Sequence, residues 1–419
     1  MSAHVSEARH VGVIGAGTMG AGIATSCLAG GLRVTLVDSQ PAALEGGQRR
    51  IRDALDAAVN KGRLTHEARA RAEEEMAVAG DIAALSAADV VIEAVFENLQ
   101  LKQDVFRELD AKCGADTLLA TNTSTLDVAA IASVTARPQD VIGMHFFSPA
   151  NIMRLVEIVR APETSPASVA RALALTARIG KIGVVVANGF GFVGNRMLYA
   201  YGRENQLMLL EGVPASRIDA VLEDFGMAMG PNAVGDLAGL DVGYRVRRER
   251  RDLPDDPRYY RVADLLVENG RLGQKNGRGM YRYEPGSRAR HADPEVDALI
   301  RAEARRLQVA PRATSDAAII ERCMYALINE GAAILSDGIA ASVQDIDVIW
   351  CNGYGFPRAR GGPMAYADTL GIATVYDGIQ RLAIEHGARY WSAAALIAQL
   401  AASNSTFAAW QAARSAHCA

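Results

Sequence analysis

The sequence predicts an α/β N-terminal domain with a mostly parallel sheet, followed by two all-α helical domains related by duplication. Three observations carry that prediction. Short β-branched runs alternate with helical patterns through residue 187, the texture then turns helical to the end, and one helical stretch recurs later in the chain.

In the first part, "HVGVIG", "RVTLVD", "DVVIEAV" and "TLLATNTS" each precede a helical pattern. This is the arrangement of βαβ units, whose strands are covered on both faces and therefore read as nearly continuous apolar runs. Three more strand-like runs follow: "DVIGMHFF", "LVEIVRA" and "KIGVVVA". Only seven residues separate "MHFF" from "LVEIV", too few for a crossover helix, so at least one antiparallel strand is expected late in the sheet. Between "RVTLVD" and "DVVIEAV", the second and third strands of the domain, residues 40–78 read as two charged helices forming an arm. Ser39 is the expected N-cap, Pro41 the first-turn proline, and "NKGRLT" the turn between the helices. An arm of that size suits a cover for a ligand or a purely structural insertion.

From residue 188 onward the pattern is helical, with glycine-rich breaks at "GMAMGP" and "GQKNGRG". The segment "EPGSRARHADPEV" (284–296) reads as a linker. The repeat lies on either side of it. "NRMLYAYGRENQLMLLEGVPASRID" (195–219) lays over "ERCMYALINEGAAILSDGIAASVQDID" (321–347), with fifteen residues from Arg196 to Glu211 and again from Arg322 to Asp337. Each copy then reaches a glycine-proline, at Pro231 and Pro363. The position of Asn195 is Glu321 in the second copy, so the copies are not chemically equivalent. The expected domains are 1–187, dinucleotide-binding with the arm at 40–78; 188–290, the first helical domain; and 291–419, a degenerate second copy.

Composition narrows the function. Half of the 419 residues are apolar and 22 % are charged, enough for two or three domains with sizeable cores. The net charge is −4 and the pI about 6.0, without a basic run long enough to mark nucleic acid or anionic membrane as a partner. The local exception is "YRVRRERR" (244–251), which reads as a solvated helix face or as an attractor for a phosphate-bearing ligand. Cys27, Cys113, Cys323, Cys351 and Cys418 are scattered without metal-ligand spacing. That argues against a disulfide framework or a zinc site and for a reducing cytoplasm. "MSAHVSEARH" has no apolar signal core, and no apolar run approaches the roughly 20 residues of a bilayer span, so a soluble protein is expected.

The motif "VGVIGAGTMGAGIA" (11–24) places Gly15, Gly17 and Gly20 directly after a strand and at the opening of a helix. Such glycines allow a tight turn and close approach of a pyrophosphate to the helix N-terminus, with Thr18 and Met19 in the same loop. The second strand ends at Asp38, eighteen residues after Gly20, where a carboxylate can accept from the adenosine ribose hydroxyls. Together these features define a Rossmann-type dinucleotide site. Asp38 would repel a 2′-phosphate and "SQPA" offers no arginine to pair with one, so NAD is favoured over NADP.

Oxidising an alcohol with a nicotinamide requires a base beside the carbinol. His145 lies near the C-terminal end of a strand, on the side of the sheet where ligands bind in such folds. Glu157 lies on the neighbouring run, where a carboxylate could fix the imidazole tautomer. Read from the residues alone, a satisfied core histidine suits position 145 equally well, and Glu157 could be an edge-exposed residue.

The motifs "VIGAGTMGAGIA", "VIEAVFENLQLK", "TNTST", "MHFFSPANIMRLVEIV" and "GFGFVGNRML", in this order, resemble the 3-hydroxyacyl-CoA dehydrogenases of fatty-acid β-oxidation, especially the dehydrogenase half of the multifunctional enzymes. The resemblance runs from about residue 10 to 419. It implies that His145 is the general base and Glu157 the carboxylate that orients it. Ser124 and Asn195 are implied to position the substrate's 3-oxygen and thioester carbonyl. Glu97, Lys102 and Asn122 are implied on the NAD ribose and nicotinamide side, and Lys275 in the cofactor region. It further implies an acyl-CoA substrate and oxidation of the (S)-3-hydroxyacyl group. Two departures stand out. Lys61 occupies the place of a family lysine that contacts CoA phosphates, but Ala54 replaces the serine expected seven residues earlier. Nor does a hydratase half precede residue 1, so dehydrogenation alone is expected. Two other readings stay open: a related NAD-dependent dehydrogenase of a small hydroxy acid or carnitine-like alcohol, and a non-enzymatic dinucleotide-binding structural protein. Single-repeat relatives dimerise through the helical domain, so a second copy in the same chain implies a monomer.

Overall fold

A computed structural model of the protein describes residues 8–250 and 252–418. The chain forms two compact units, one running to Asn195 and adding Asp337–Gly353, the other comprising Arg196–Ser336 and Tyr354 onward. No division falls at 290/291, and the first unit also recruits a segment that sequence assigned to the second repeat.

The first unit is built on eight strands: β1 (His10–Ile14), β2 (Arg33–Val37), β3 (Met76–Ala79), β4 (Val90–Glu93), β5 (Leu118–Thr121), β6 (Val141–Phe146), β7 (Leu155–Arg160) and β8 (Ile182–Ala187). They lie in the order β3-β2-β1-β4-β5-β6-β7-β8. All neighbours are parallel except β6 and β7, the antiparallel pair that the short connection demanded. Helices α1 (Thr18–Ala29), α2 (Pro41–Asn60), α3 (His66–Glu74), α4 (Leu99–Lys112), α5 (Val128–Ala132) and α6 (Pro166–Arg178) lie between the strands. The sheet has a core on each face. Val13, Ile23, Leu36, Ile92, Ile142 and Ile158 belong to one, while Val91, Phe106, Leu109, Leu119 and Ile131 belong to the other. Adjacent strand residues thus serve opposite cores, which is why β4 and β5 show no polar alternation.

The arm differs from expectation at both ends. Its last residues form β3, an eighth strand paired to β2, in place of the end of a helix. The sequence "MAVA" has a single β-branched residue and is half-exposed at the sheet edge, so it carries a weak strand signal. At the other end the N-cap is Gln40, not Ser39, with no side-chain cap bond and with Pro41 in the first turn. Asp38 supplies the missing acceptor instead, its Oδ1 taking the Gln40 N–H at 3.0 Å.

The second unit contains α7 (Gly194–Leu210) from its third residue, α8 (Ala215–Phe225), α9 (Pro231–Ala238), α10 (Leu240–Glu249), α11 (Arg261–Glu268), α12 (Pro294–Arg306) and α13 (Asp316–Ser336). The chain then visits the first unit as α14 (Val343–Gly353), which packs on β7 and β8, while Ala340 bridges to Val186. Helices α15 (Pro363–Leu370), α16 (Ile372–His386), α17 (Ala395–Ala402) and α18 (Phe407–Cys418) complete the second unit. The 284–296 segment is less of a free linker than its composition suggests. Arg282 bridges His291, Arg290 bonds Glu223 at 2.8 and 3.0 Å, and α12 begins at Pro294. The arginine-rich stretch is likewise largely paired: Arg245 to Asp241, the buried Arg247 to Asp264, and Arg250 to Asp252. Arg251 lies outside the described residues.

The repeat is visible in the bonds of the second unit. Arg196 bonds Glu330 at 2.6 Å, and Arg322 bonds Glu204 at 3.0 Å. Since Arg322 and Glu330 are the counterparts of Arg196 and Glu204, the pair is reciprocal, as two copies related by a two-fold would make it. Further along, Asp236 accepts the N–H groups of Met280 and Tyr281, and Asp368 those of Phe407 and Ala408.

Candidate active site

The site is built at the C-terminal ends of the strands in the first unit. Strands β1 and β4 are neighbours whose connections leave in opposite directions along the sheet, which opens a crevice between them of the kind that receives a dinucleotide. Gly15, at the tip of β1, has φ +95° and passes so close to β4 that a Cβ would lie 2.6 Å from the Ala94 carbonyl oxygen. At Gly20 an added Cβ would lie 1.8 Å from the Gly15 oxygen, so the first turn of α1 closes tightly on the loop. Gly17 differs, because a Cβ there would meet nothing within 4 Å. That open space lies at an N-cap with no side-chain bond and no acidic residue in the first turn, so the N–H groups of Thr18, Met19 and Gly20 are available to an anion. Asp38 follows β2 directly and accepts the Ala16 N–H at 2.8 Å, fixing its carboxylate beside this loop. Arg50, on α2, donates to the Ala16 carbonyl at 2.9 Å. The residues present therefore fit a dinucleotide with a free ribose 2′-hydroxyl.

Beyond the crevice lies a buried network that organises the loop after β5. Glu93, at the end of β4 and 0 % exposed, accepts from Lys102 Nζ at 2.6 Å, from Thr121 Oγ1 at 2.7 Å and from the Val95 N–H at 2.7 Å. Lys102 is 1 % exposed and also lies 3.5 Å from Glu97 Oε2. Glu97 Oε1 in turn accepts from Thr123 Oγ1, from the Ser124 N–H and Oγ, and from the Thr125 N–H. Burial pushes the Glu97 carboxyl up, but the Lys102 ammonium and these hydrogen bonds outweigh it and hold it below its ordinary value. Asn122 Oδ1 accepts the Phe146 N–H at 2.9 Å, which ties the same loop to the end of β6.

His145 and Glu157 face each other across the antiparallel pair β6 and β7. His145 Nδ1 is 2.8 Å from Glu157 Oε2, with the imidazole 6 % exposed and the glutamate fully buried. The other oxygen of Glu157 accepts the N–H groups of Val193 and Gly194 at 3.2 and 3.0 Å. A buried carboxylate with three donors is fully satisfied, and bonded to Nδ1 it favours the tautomer that leaves Nε2 open to accept a proton. The rings of Phe147 and Phe192 flank the imidazole, with centroids 4.6 and 5.7 Å away, whereas Phe146 turns into the core. Asn195 Nδ2 donates to the Ser124 carbonyl at 3.3 Å. The first unit thus brings together Ser124, His145, Glu157 and Asn195.

Other expected site residues have different surroundings. Lys102 is buried under Glu93 and Glu97. Lys275 belongs to the second unit and is ion-paired to Asp241. Lys61 is the exposed C-cap of α2. Sequence reading passed over Glu93, Thr121 and the N–H groups of residues 193 and 194. The one signal for Glu93 was a carboxylate inside the apolar run "DVVIEAV", with a lysine nine residues on. Phe96, 81 % exposed between β4 and α4, was likewise not singled out.

Comparison with known proteins bears on this site. The sequence model of the 3-hydroxyacyl-CoA dehydrogenase NAD-binding domain matches residues 10–189, and that of the C-terminal domain matches 191–283 and 319–408. The chain is 43 % identical over 384 residues to the human peroxisomal bifunctional enzyme and 44 % identical over 391 residues to that of Danio rerio. These alignments take in 88 % and 89 % of this chain but 53 % of each relative, so the chain spans about half the length of the curated relatives it matches. Among solved structures, 3-hydroxybutyryl-CoA dehydrogenase from Escherichia coli superposes with a TM-score of 0.80 at 29 % identity, over 95 % of this chain and 99 % of that one. The dehydrogenase part of multifunctional enzyme 1 from C. elegans gives 0.68 at 28 % identity, over 94 % and 89 %.

Proposed function

The chain belongs to the 3-hydroxyacyl-CoA dehydrogenase family, and from that premise we propose that it oxidises (S)-3-hydroxyacyl-CoA to 3-oxoacyl-CoA with NAD. The observation that carries the proposal is the His145–Glu157 pair, held across two strands beside a dinucleotide crevice. Bound in that crevice, NAD supplies a hydride acceptor for C3 of the substrate. His145 Nε2 takes the hydroxyl proton, and Glu157 stabilises the imidazolium that results. Glu157 itself is oriented by the Val193 and Gly194 N–H groups. Ser124 and Asn195 hold the 3-oxygen and the thioester carbonyl, with Glu97 fixing the backbone that carries Ser124. Asp38 accepts from the adenosine ribose.

The free cysteines Cys27, Cys113, Cys323 and Cys351 support a reducing compartment such as the cytoplasm, while the relatives compared above are named as peroxisomal. Among the described residues no helix is long and apolar enough to cross a membrane. We further propose that residues 1–187 act as the dinucleotide domain, and that 188–290 and 291–419 descend from one duplicated helical domain. The two separate matches to the C-terminal domain support this.

The deciding experiment follows NADH oxidation with acetoacetyl-CoA and with free acetoacetate, and repeats the first with NADPH. Turnover of the thioester with NADH is the expected result. Preference for the free acid would overturn the substrate reading, and no turnover of either would overturn the enzymatic one.

A further inference from the structure

Residues 147–154 lead from the end of β6 to the start of β7, between His145 and Glu157. This loop opens with Phe147, whose ring lies against the imidazole. Two other elements hold it. From α1, the helix that follows the glycine loop, Ser26 Oγ donates to the Ala150 carbonyl at 3.1 Å. The same helix offers Gly22, where a Cβ would come within 3.1 Å of Ala150 Cβ, so the loop packs directly on the helix backbone. From the residue preceding β8, Lys181 Nζ donates to the carbonyls of Ala150 at 2.6 Å and Met153 at 2.7 Å.

We propose that Lys181 is a positioning residue for the reaction: by clasping Ala150 and Met153 it fixes the loop that seats Phe147 on the His145 ring and Ala150 on the cofactor-binding helix. The inference rests on the function proposed above. Two short bonds from one ammonium to carbonyl oxygens are charge-assisted, about twice as strong as neutral ones. They tie together the middle of a loop whose first residue, Phe147, lies against the proton acceptor. A misplacement of about 1 Å at a reacting group can cost on the order of a hundredfold in rate, so a clasp at this point has leverage on kcat.

The clasp also titrates. Burial brings Lys181 down to about 8. Cys27, on α1, is the titratable group that faces it, and burial pushes that thiol up to about 12, so it stays neutral. The Phe146 ring, 6.0 Å from Nζ, and Ser26 carry no charge. The ammonium is therefore present below about pH 8 and lost above it, taking with it the charge and a donor.

The test is the pH profile of kcat for oxidation of 3-hydroxybutyryl-CoA by NAD from pH 6 to 10, with NADH affinity followed separately by fluorescence. The wild-type profile is expected to fall on the alkaline side near pH 8. A guanidinium does not lose its proton in this range, so Lys181→Arg should move that fall upward by about one unit or more. Lys181→Met should lower kcat at pH 7 about tenfold or more while the NADH dissociation constant stays within about twofold. An alkaline limb unmoved in Lys181→Arg, or wild-type kcat in Lys181→Met, overturns the proposal. If Lys181→Met does not fold, the Lys181→Arg profile decides alone. A wild-type chain that turns over no acyl-CoA thioester overturns the parent reading, and this inference with it.

Discussion

At the scale of single residues, the site turns on how Glu157 is satisfied. Its two oxygens serve different masters: one holds the imidazole, and the other is held by the backbone at the start of α7. A neutral amide in its place can still accept from Val193 and Gly194, but it no longer offers a charge to the imidazolium. Glu157→Gln and His145→Gln are therefore expected to lower kcat by about a hundredfold or more, with NADH binding preserved because neither side chain belongs to the glycine loop. Steady-state rates alongside NADH fluorescence titration check this, and near-normal turnover in either variant would remove the dyad from the mechanism. Both residues were legible in sequence, since twelve positions with a short turn between two strand-like runs can bring them opposite one another. The donors to Glu157 were not legible. They are backbone N–H groups more than thirty residues away, and backbone leaves no mark on a sequence.

At the scale of elements, the two parallel strands β4 and β5 and the helix α4 are pinned together by Glu93, Thr121 and Lys102. Family resemblance implied a contact between Lys102 and the cofactor; within the fold its ammonium bonds Glu93 and lies 3.5 Å from Glu97. Removing the cation leaves a fully buried carboxylate without its counter-charge, a change that typically costs about 3–5 kcal/mol. Lys102→Met should accordingly lower the free energy of unfolding of the first unit by about that amount, measured by urea denaturation. A loss well under 1 kcal/mol, with NAD affinity reduced instead, would return Lys102 to the cofactor. The same network explains why the elements themselves were easier to read than their edges. Strands buried on both faces announce themselves by unbroken apolar runs, as β4 and β5 do. β3, half-exposed and alanine-rich, looked like the tail of a helix because its pairing to β2 supplies what its own composition lacks.

At the scale of the molecule, the reciprocal pairs Arg196–Glu330 and Arg322–Glu204 describe an interface that closes on itself within one chain. Arg322 is 2 % exposed and held also by Glu211 at 2.5 Å, so this is a desolvated contact and not a rim contact. Charges this deeply buried are tolerated only where the geometry of their partners is fixed, and here the second copy, in the same chain, supplies that geometry. The divergence of the copies is chemical. Asn195 reaches the Ser124 carbonyl, whereas Glu321 at the matching position is paired with Arg381. The repeat was readable because its spacing recurs in the sequence; the α14 excursion to β7 and β8 was not, because nothing in its composition distinguishes a helix that stays from one that crosses to a sheet. A closed pseudo-dimer with one intact set of site residues predicts a monomer of 44.5 kDa that binds one NADH. Light scattering and NADH titration on the same sample test both halves together. Twice that mass would mean that the second copy has not replaced a partner, and two nucleotides per chain would mean a second site away from the glycine loop.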